Sequence, residues 1–277
     1  MERLDPPFLD AGSQWVDSVY ESLSRDERIA QLFMVSAYSN MNRAHTDAIL
    51  KLIRKYNIGG LCFFKGGPVR QANLTNIYQT EAKTPLLIAQ DAEWGPAFRL
   101  DSTIAYPRQM TLGALQEEEG IYRMGMEVAE QLRMIGVNMN LAPVMDVNNN
   151  PLNPVIGSRS FGEDIYNVSR KGIAYMRGMQ EKRLLCTAKH FPGHGDTDKD
   201  SHHTLPLIRH SGDRLRKIEM HPFREAILQG ISGIMTAHLE VPSLDSTPGL
   251  ASSLSHDIIT GILKKELNYK GLIISDA

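Results

Sequence analysis

Long apolar runs and an excess of one charge are both missing from this sequence. No segment approaches the roughly 18 apolar residues of a membrane-spanning helix, and residues 1–7 lack the apolar stretch of a signal peptide. We therefore expect a cytoplasmic protein, or a periplasmic one if a leader has been removed. The net charge of −2 argues against a strongly basic nucleic-acid-binding protein.

Cysteines and nucleotide-binding glycine motifs are also scarce. The two cysteines, Cys62 and Cys186, lie inside apolar runs, which favours buried free thiols over a disulfide. No Gly-x-Gly-x-x-Gly motif follows a predicted strand, so a dinucleotide-binding fold has no support.

Short apolar segments alternate with longer segments of helical period. Several of the short segments are apolar throughout, as is typical of strands covered on both faces. They predict strands at 31–38, 60–64, 85–91, 137–143, 184–191, 231–239 and 271–276. Helical periodicity predicts helices at 46–56, 121–135, 167–182, 213–228 and 255–267, and Ser24 with Glu27 has the spacing of a capping box.

This alternation predicts an α/β protein with a parallel sheet, and about 250 residues favour a (β/α)8 TIM-type barrel. We count seven strands, so the barrel is expected to be truncated after the seventh strand, in a chain that continues beyond its last residue. Residues 1–277 are interpreted as one barrel domain, in which residues 1–25 precede the barrel.

Polar residues follow the apolar runs at the expected carboxyl ends of the strands, where barrel enzymes place their active sites. These candidates are Asp91, Asp146, Lys189, His190, His238 and Asp276. Repetition of this pattern favours an active site over isolated strand-end hydrogen bonds.

The segment 189–203, Lys-His-Phe-Pro-Gly-His-Gly-Asp-Thr-Asp-Lys-Asp-Ser-His-His, is the densest concentration of reactive side chains. Its prolines and glycines predict a long loop. One interpretation is a metal site, with candidate ligands His190, His194, Asp196 and His202. The favoured interpretation is acid–base catalysis by His202, oriented by Asp200.

Asp276, at the mouth of an apolar strand, is the candidate nucleophile. Glycoside hydrolysis with retention requires one group that holds a proton and one carboxylate that attacks the anomeric carbon. Asp91 and Arg159, with Lys189 and His190, offer fixed partners for sugar hydroxyls. Trp94 is a candidate for stacking on a sugar face or for packing, and Glu93 is a second, less favoured candidate for the acid.

Segment 189–203 resembles the signature of family 3 glycoside hydrolases of the β-N-acetylhexosaminidase type. Segments 90–100, 141–147, 153–164 and 271–277 are similar to that family in the same order. The resemblance implies a (β/α)8-type barrel, a retaining mechanism and no metal or other cofactor. It implies Asp276 as nucleophile and His202 as acid/base with Asp200. It places Asp91, Arg99, Arg159, Lys189 and His190 around N-acetylglucosamine.

In the family, Glu-Gly-Gly usually follows the aspartate of the third strand, whereas here Asp91 is followed by Ala-Glu-Trp-Gly at 92–95. This form resembles a variant in Bacteroidetes members. The implied substrates are N-acetylglucosamine-containing glycans, mainly peptidoglycan fragments, with no nucleic acid partner; the oligomeric state stays open. Phosphorolysis of the same glycosides, a metal-dependent hydrolase and an inactive glycan-binding fragment are the alternatives.

Overall fold

Seven short strands form one parallel sheet in the computed structural model, which describes residues 3–9, 11–198 and 205–276. The strands are β1 (Met34–Ala37), β2 (Gly60–Phe63), β3 (Leu87–Gln90), β4 (Met139–Asn140), β5 (Leu185–Phe191), β6 (Gly233–Thr236) and β7 (Leu272–Ser275). They pair in chain order from β1 to β7, and every pair is parallel.

Helices connect the strands, as parallel pairing requires. They are α1 (Ser13–Ser22), α2 (Arg25–Ala30), α3 (Arg43–Tyr56), α4 (Pro68–Glu81), α5 (Gln109–Gly113), α6 (Glu119–Met134), α7 (Ile165–Glu181), α8 (Gly212–Lys217) and α9 (His221–Leu228). A π-helix, Asp257–Glu266, precedes β7, and short 3-10 helices lie at Pro96–Phe98, Gly157–Arg159 and Ser252–Leu254. Among the described residues, none of the helices has the length and apolar character needed to cross a membrane.

Both faces of the sheet are buried. The larger core lies between the sheet and the helices, and a smaller one lies on the concave side of the sheet. The smaller core consists of Cys62, Ala89, Met139, Leu141 and Met235. Burial on both faces explains why the strands read as continuous apolar runs.

The sheet curls around a cavity of about 970 Å³, because residues of the first and the last strand, Met34 and Ile274, line the same cavity. Within the described ranges, β1 and β7 do not pair with each other. The prediction of a TIM-type barrel truncated after the seventh strand is therefore confirmed.

Local sequence signals account for several helix boundaries. The capping box of α2 is present, with hydrogen bonds in both directions between Ser24 and Glu27. The predicted helix at 213–228 is instead two helices, α8 and α9, and Pro222 stands in the first turn of α9, where its missing N–H costs nothing. Helix α4 has no apolar periodicity, because its buried positions are Gln71, Thr75 and Tyr78.

Several predicted strands are shorter in the structure. Residues 31–33 belong to the turn after α2, where Leu32 N donates to Ile29 O, so β1 begins only at Met34. Strand β4 has only two residues, and Pro143, three residues beyond its end, lacks the N–H that a ladder needs. Cys62 and Cys186 are buried free thiols, as predicted, and burial raises the pKa of each to about 12.

Candidate active site

The cavity inside the sheet is lined at its carboxyl end by most of the strand-end residues that the sequence singles out. These strand-end residues are Asp91, Lys189, His190 and Asp276, and the loop residues Glu93, Arg99, Arg159 and His194 line the same cavity. This is the end of a parallel barrel where the βα loops meet, so one cavity collects side chains from the ends of β3, β5 and β7 and from the loop after β4.

Lys189, at the end of β5, is an almost fully buried ammonium group held between two carboxylates. Its Nζ lies 2.7 Å from Oδ1 of Asp91 and 2.9 Å from Oε1 of Glu93. Segment 91–93 is fixed from below, because Asn140 accepts from the Ala92 N–H and donates to the Ala92 carbonyl. A buried charge is tolerated when it is paired in this way.

Two arginines complete the cluster. Arg99 pairs with the second oxygen of Asp91, and its guanidinium lies 4.7 Å from the ring centre of Phe64. Arg159 donates from Nη2 to Glu93 at 2.7 Å and from Nε at 3.0 Å. The fork of Arg159 thus fits one carboxylate in two places, which fixes its orientation.

Opposing effects set the protonation of this cluster. Burial alone would raise the pKa of Asp91 and of Glu93, but the charge of Lys189 and that of an arginine beside each carboxyl lower both values. Burial would lower the pKa of Lys189, but the two carboxylates raise it. All three groups are therefore charged at neutral pH, and Glu93 has no proton to donate. This is why Glu93 is a poor candidate for the catalytic acid.

Asp146, a fully buried carboxylate, holds His190. His190 Nδ1 lies 2.7 Å from Oδ2 of Asp146, and the main-chain N–H groups of His190 and His194 also donate to this carboxylate. Burial would raise the pKa of Asp146, but the neighbouring His190 lowers it. In a neutral His190 this bond requires the hydrogen on Nδ1, so Nε2 is an acceptor. Nε2 lies 3.4 Å from Nη2 of Arg159.

The loop after β5 is anchored by a separate group of side chains. His194 Nδ1 lies 2.7 Å from the Thr197 hydroxyl, and burial, with the nearby His190, lowers the pKa of His194. Asp196 pairs with His210. His190, His194 and Asp196, which the metal interpretation grouped, are thus each engaged with a different partner.

One group of described residues has the spacing of metal ligands: Asp196, His210 and Glu219 lie with ligand atoms within 4.8 Å of one another. Arg214 Nη2 lies 3.0 Å from Glu219 Oε1 and 3.7 Å from Asp196 Oδ2. Because this guanidinium already supplies positive charge there, the group fits an ion-pair network that ties the loop to α8 better than it fits a cation site.

Asp276 directly follows β7, and its main-chain N–H donates to the Thr236 carbonyl at the end of β6. His238, the remaining strand-end candidate, does not line the cavity; its Nε2 lies 2.9 Å from the main-chain oxygen of Asp276. Asp200 and His202 lie outside the described residues.

The rim of the cavity is aromatic and cationic. Trp94 and Phe98 pack with their ring centres 4.3 Å apart, and the Arg108 guanidinium lies 4.7 Å from the Trp94 ring centre. Arg108 Nη1 donates to the Ser158 hydroxyl at 2.9 Å. Arg108 has no carboxylate partner among the described residues, unlike Arg99 and Arg159. Arg108 follows no predicted strand and belongs to no recognised motif, so no sequence pattern marks it as a site residue.

Chemically, the site combines fixed hydrogen-bonding partners with a carboxylate at the same cavity. The paired charges of Asp91, Arg99, Arg159 and Lys189 can hold sugar hydroxyls in one orientation. Asp276 brings a carboxylate to the cavity from a different strand. The arrangement suits binding of a neutral polar ring next to an ionised group.

The sequence profile described as "Glycosyl hydrolase family 3 N terminal domain" matches residues 24–277. Beta-hexosaminidase A of Pseudoalteromonas piscicida is 36% identical over 250 residues, which cover 82% of this chain and 42% of that protein. The chain thus spans less than half the length of this relative.

Two solved structures are also similar over more than nine-tenths of this chain. A glycoside hydrolase family 3 beta-N-acetylglucosaminidase from Paenibacillus sp. str. FPU-7 is similar with a TM-score of 0.86 and 38% identity, over 92% of this chain and 49% of that one. A beta-glucoside phosphorylase is similar with a TM-score of 0.92 and 26% identity, over 98% of this chain and 50% of that one.

Proposed function

This chain belongs to glycoside hydrolase family 3, and we propose that it carries the catalytic site of an exo-acting, retaining β-N-acetylglucosaminidase. The observation that carries the proposal is the convergence of Asp276 with the Asp91–Lys189–Glu93 cluster on one cavity. The names of the two relatives, a beta-hexosaminidase and a beta-N-acetylglucosaminidase, support N-acetylglucosamine as the sugar.

Asp276 is proposed as the nucleophile and His202 as the acid/base. The Asp276 carboxylate attacks the anomeric carbon while the bond to the leaving oxygen breaks, and protonated His202 gives its proton to that oxygen. Neutral His202 then takes a proton from water, whose oxygen attacks the anomeric carbon and releases Asp276 as a carboxylate. Asp200 is proposed to orient His202.

We propose that the paired charged side chains of the cavity bind the hydroxyl groups of the sugar. Asp91 can accept from two hydroxyls, whereas Lys189, Arg159 and His190 face the same space as donors or acceptors. Arg99 holds Asp91 from the rim side. Because each of these side chains is already fixed by a partner, little side-chain freedom is lost when the sugar binds.

We propose peptidoglycan fragments as the substrate class. In these fragments N-acetylglucosamine is joined to a sugar that carries a carboxylate, and Arg108, which pairs with no carboxylate of the described ranges, offers a cation at the rim of the cavity. An arginine fixed over a tryptophan is a suitable partner for that carboxylate.

Phosphorolysis is the second candidate, and the similarity to a beta-glucoside phosphorylase favours it. A histidine acid/base, unlike a glutamate, does not repel an incoming phosphate. The two reactions share the first step and differ in whether water or phosphate releases the sugar.

The test is release of p-nitrophenol from its N-acetyl-β-glucosaminide, beside the β-glucoside, in the presence of a metal chelator. We expect release from the first substrate alone. Loss of activity on chelation would favour a metal-dependent hydrolase, and binding of N-acetylglucosamine without release would favour a glycan-binding fragment. Formation of N-acetylglucosamine 1-phosphate when phosphate is added would show that the chain catalyses phosphorolysis instead of hydrolysis.

The matched variant is Asp276→Asn, which keeps the size of the side chain but removes the nucleophilic carboxylate. We expect turnover to fall by about 1,000-fold or more, with binding of N-acetylglucosamine retained. Retained turnover would refute Asp276 as the nucleophile.

A further inference from the structure

His238 extends from the strand end beside the one that carries Asp276 and makes two hydrogen bonds. Its Nε2 lies 2.9 Å from the main-chain oxygen of Asp276, and its Nδ1 lies 2.6 Å from the hydroxyl of Ser253. The ring therefore connects the residue after β7 to the short 3-10 helix Ser252–Leu254.

The hydrogen-bond partners decide which ring nitrogen of His238 carries the hydrogen. A carbonyl oxygen only accepts, so Nε2 of His238 carries a hydrogen and donates it to Asp276. In the neutral ring Nδ1 is then an acceptor, and the Ser253 hydroxyl donates to it. This arrangement satisfies both ring nitrogens and selects one tautomer and one ring orientation.

Ser253 is itself held in place through its neighbour. The Ser252 hydroxyl donates to the Ala237 carbonyl at 2.7 Å, and the Ser252 N–H donates to the Leu239 carbonyl at 2.7 Å. These bonds tie the 3-10 helix to the residues on either side of His238. The two hydrogen bonds of Ser252 thus hold the Ser253 hydroxyl within hydrogen-bonding distance of the imidazole.

Asp276 depends on these contacts more than a residue in the middle of a sheet would. Within the described residues β7 pairs with β6 alone. The main-chain N–H of Asp276 donates to the Thr236 carbonyl at the end of β6, and its main-chain carbonyl accepts from His238, two residues beyond β6. Loss of the His238 bond removes the restraint on the carbonyl side of Asp276.

We propose that His238 is a positioning residue for the nucleophile. By holding the main-chain carbonyl of Asp276 it restrains the main chain from which the side chain of Asp276 branches at the cavity. The inference rests on the proposed role of Asp276. A nucleophile displaced by about 1 Å loses on the order of 100-fold in rate, so this main-chain restraint is expected to affect kcat and leave sugar binding nearly intact.

The test compares His238→Gln with His238→Asn in the full chain. The amide nitrogen of glutamine reaches the place of Nε2, whereas that of asparagine reaches only the place of Nδ1. We expect H238N to lower kcat on p-nitrophenyl N-acetyl-β-glucosaminide by roughly 10- to 100-fold, and H238Q by less than about threefold. The dissociation constant of N-acetylglucosamine, measured by calorimetric titration, is expected to stay within about twofold in both variants.

Rapid-mixing measurement of the first p-nitrophenol burst gives a second readout, because nucleophile position acts on formation of the glycosyl-enzyme. The burst rate is expected to fall in H238N and to recover in H238Q. Ser253→Ala, which removes the donor to Nδ1, is expected to lower kcat by roughly twofold to tenfold. It provides the test if H238N does not fold.

Equal kcat in H238N and H238Q, or an unchanged kcat in Ser253→Ala, would overturn the positioning role. A lower melting temperature with unchanged kcat would assign His238 to stability instead. A wild-type chain without turnover, or an active Asp276→Asn variant, would refute the proposed function itself, and the role of His238 with it.

Discussion

Lys189 and Asp91 are 98 residues apart in the sequence and form a buried ion pair, with 2.7 Å between Nζ and Oδ1. The same Nζ lies 2.9 Å from Oε1 of Glu93, so one ammonium group separates two carboxylates in the lining of the cavity. Without it, two negative charges would face each other in a site shielded from water. The pair therefore supports the fold and the proposed sugar site together.

Replacement of Lys189 by Met is expected to lower the free energy of unfolding by about 3 kcal/mol, because it leaves buried carboxylates without their shared partner. It is also expected to abolish binding of N-acetylglucosamine. The measurements are urea denaturation and calorimetric titration with the free sugar.

Lys270→Met is the matched control, since Lys270 is half-exposed and pairs with Asp5 at the surface. It is expected to change stability by less than about 1 kcal/mol and to leave sugar binding intact. Equal effects of the two substitutions would contradict the importance of the Lys189 cluster.

The lowered pKa values of Asp91, Glu93 and Asp146 predict a loss of stability in acid. A carboxyl with a lower pKa in the folded state stabilises the fold above its ordinary pKa, and this contribution is lost as the pH falls through the folded value. The ordinary values are 3.8 and 4.5, so the free energy of unfolding is expected to fall below about pH 4.5.

Glu93→Gln isolates one of these groups. The difference in stability between wild type and this variant is expected to narrow by about 1.4 kcal/mol per pH unit below pH 4.5. Denaturation at pH 6, 5, 4 and 3.5 measures it, and Glu163→Gln, at an exposed position, controls for the substitution itself. A difference that stays constant over this range would contradict an ionised Glu93.

Much of this site could be predicted from the sequence because β-strands in a parallel barrel deliver their last residues to one face. Asp91, Lys189 and His190 follow apolar runs, and the structure brings them to one cavity. Periodicity likewise predicts α6, whose inward residues are apolar. Asp276 also follows an apolar run, whereas Arg99 was added by the family resemblance alone, and both line the cavity.

The rest depends on contacts that no local pattern encodes. Asp146 is a strand-end candidate, but its role as the partner of His190 depends on a pairing across 44 residues. Glu93 looks like a candidate acid until its pairing with Lys189 and Arg159 is known. Helix α4 escapes detection because polar side chains occupy its buried face, where tertiary hydrogen bonds such as Gln71 to Gln90 replace apolar packing.

His202→Ala tests the proposed acid. Protonation matters most when the leaving group is a sugar alkoxide and least when it is p-nitrophenolate. We expect hydrolysis of an N-acetylglucosaminyl disaccharide to fall by about 100-fold or more, with a much smaller loss on the p-nitrophenyl glycoside. His203→Ala, the adjacent histidine, is the control, and equal losses on both substrates would remove His202 from the acid role.

Arg108→Gln tests the proposed preference for an acidic second sugar. The comparison uses two N-acetylglucosaminyl disaccharides that differ only in a carboxylate or its primary amide on the second sugar. Wild type is expected to prefer the carboxylate, and R108Q to lose about tenfold in kcat/KM on it, as for a lost charge-assisted hydrogen bond. The amide substrate is expected to be affected less than about twofold. Arg43→Gln, at an exposed position that does not line the cavity, is the control. Because Arg108 is fixed by Ser158 and lies over Trp94, a loss of the same size on both substrates would instead assign it to the shape of the rim.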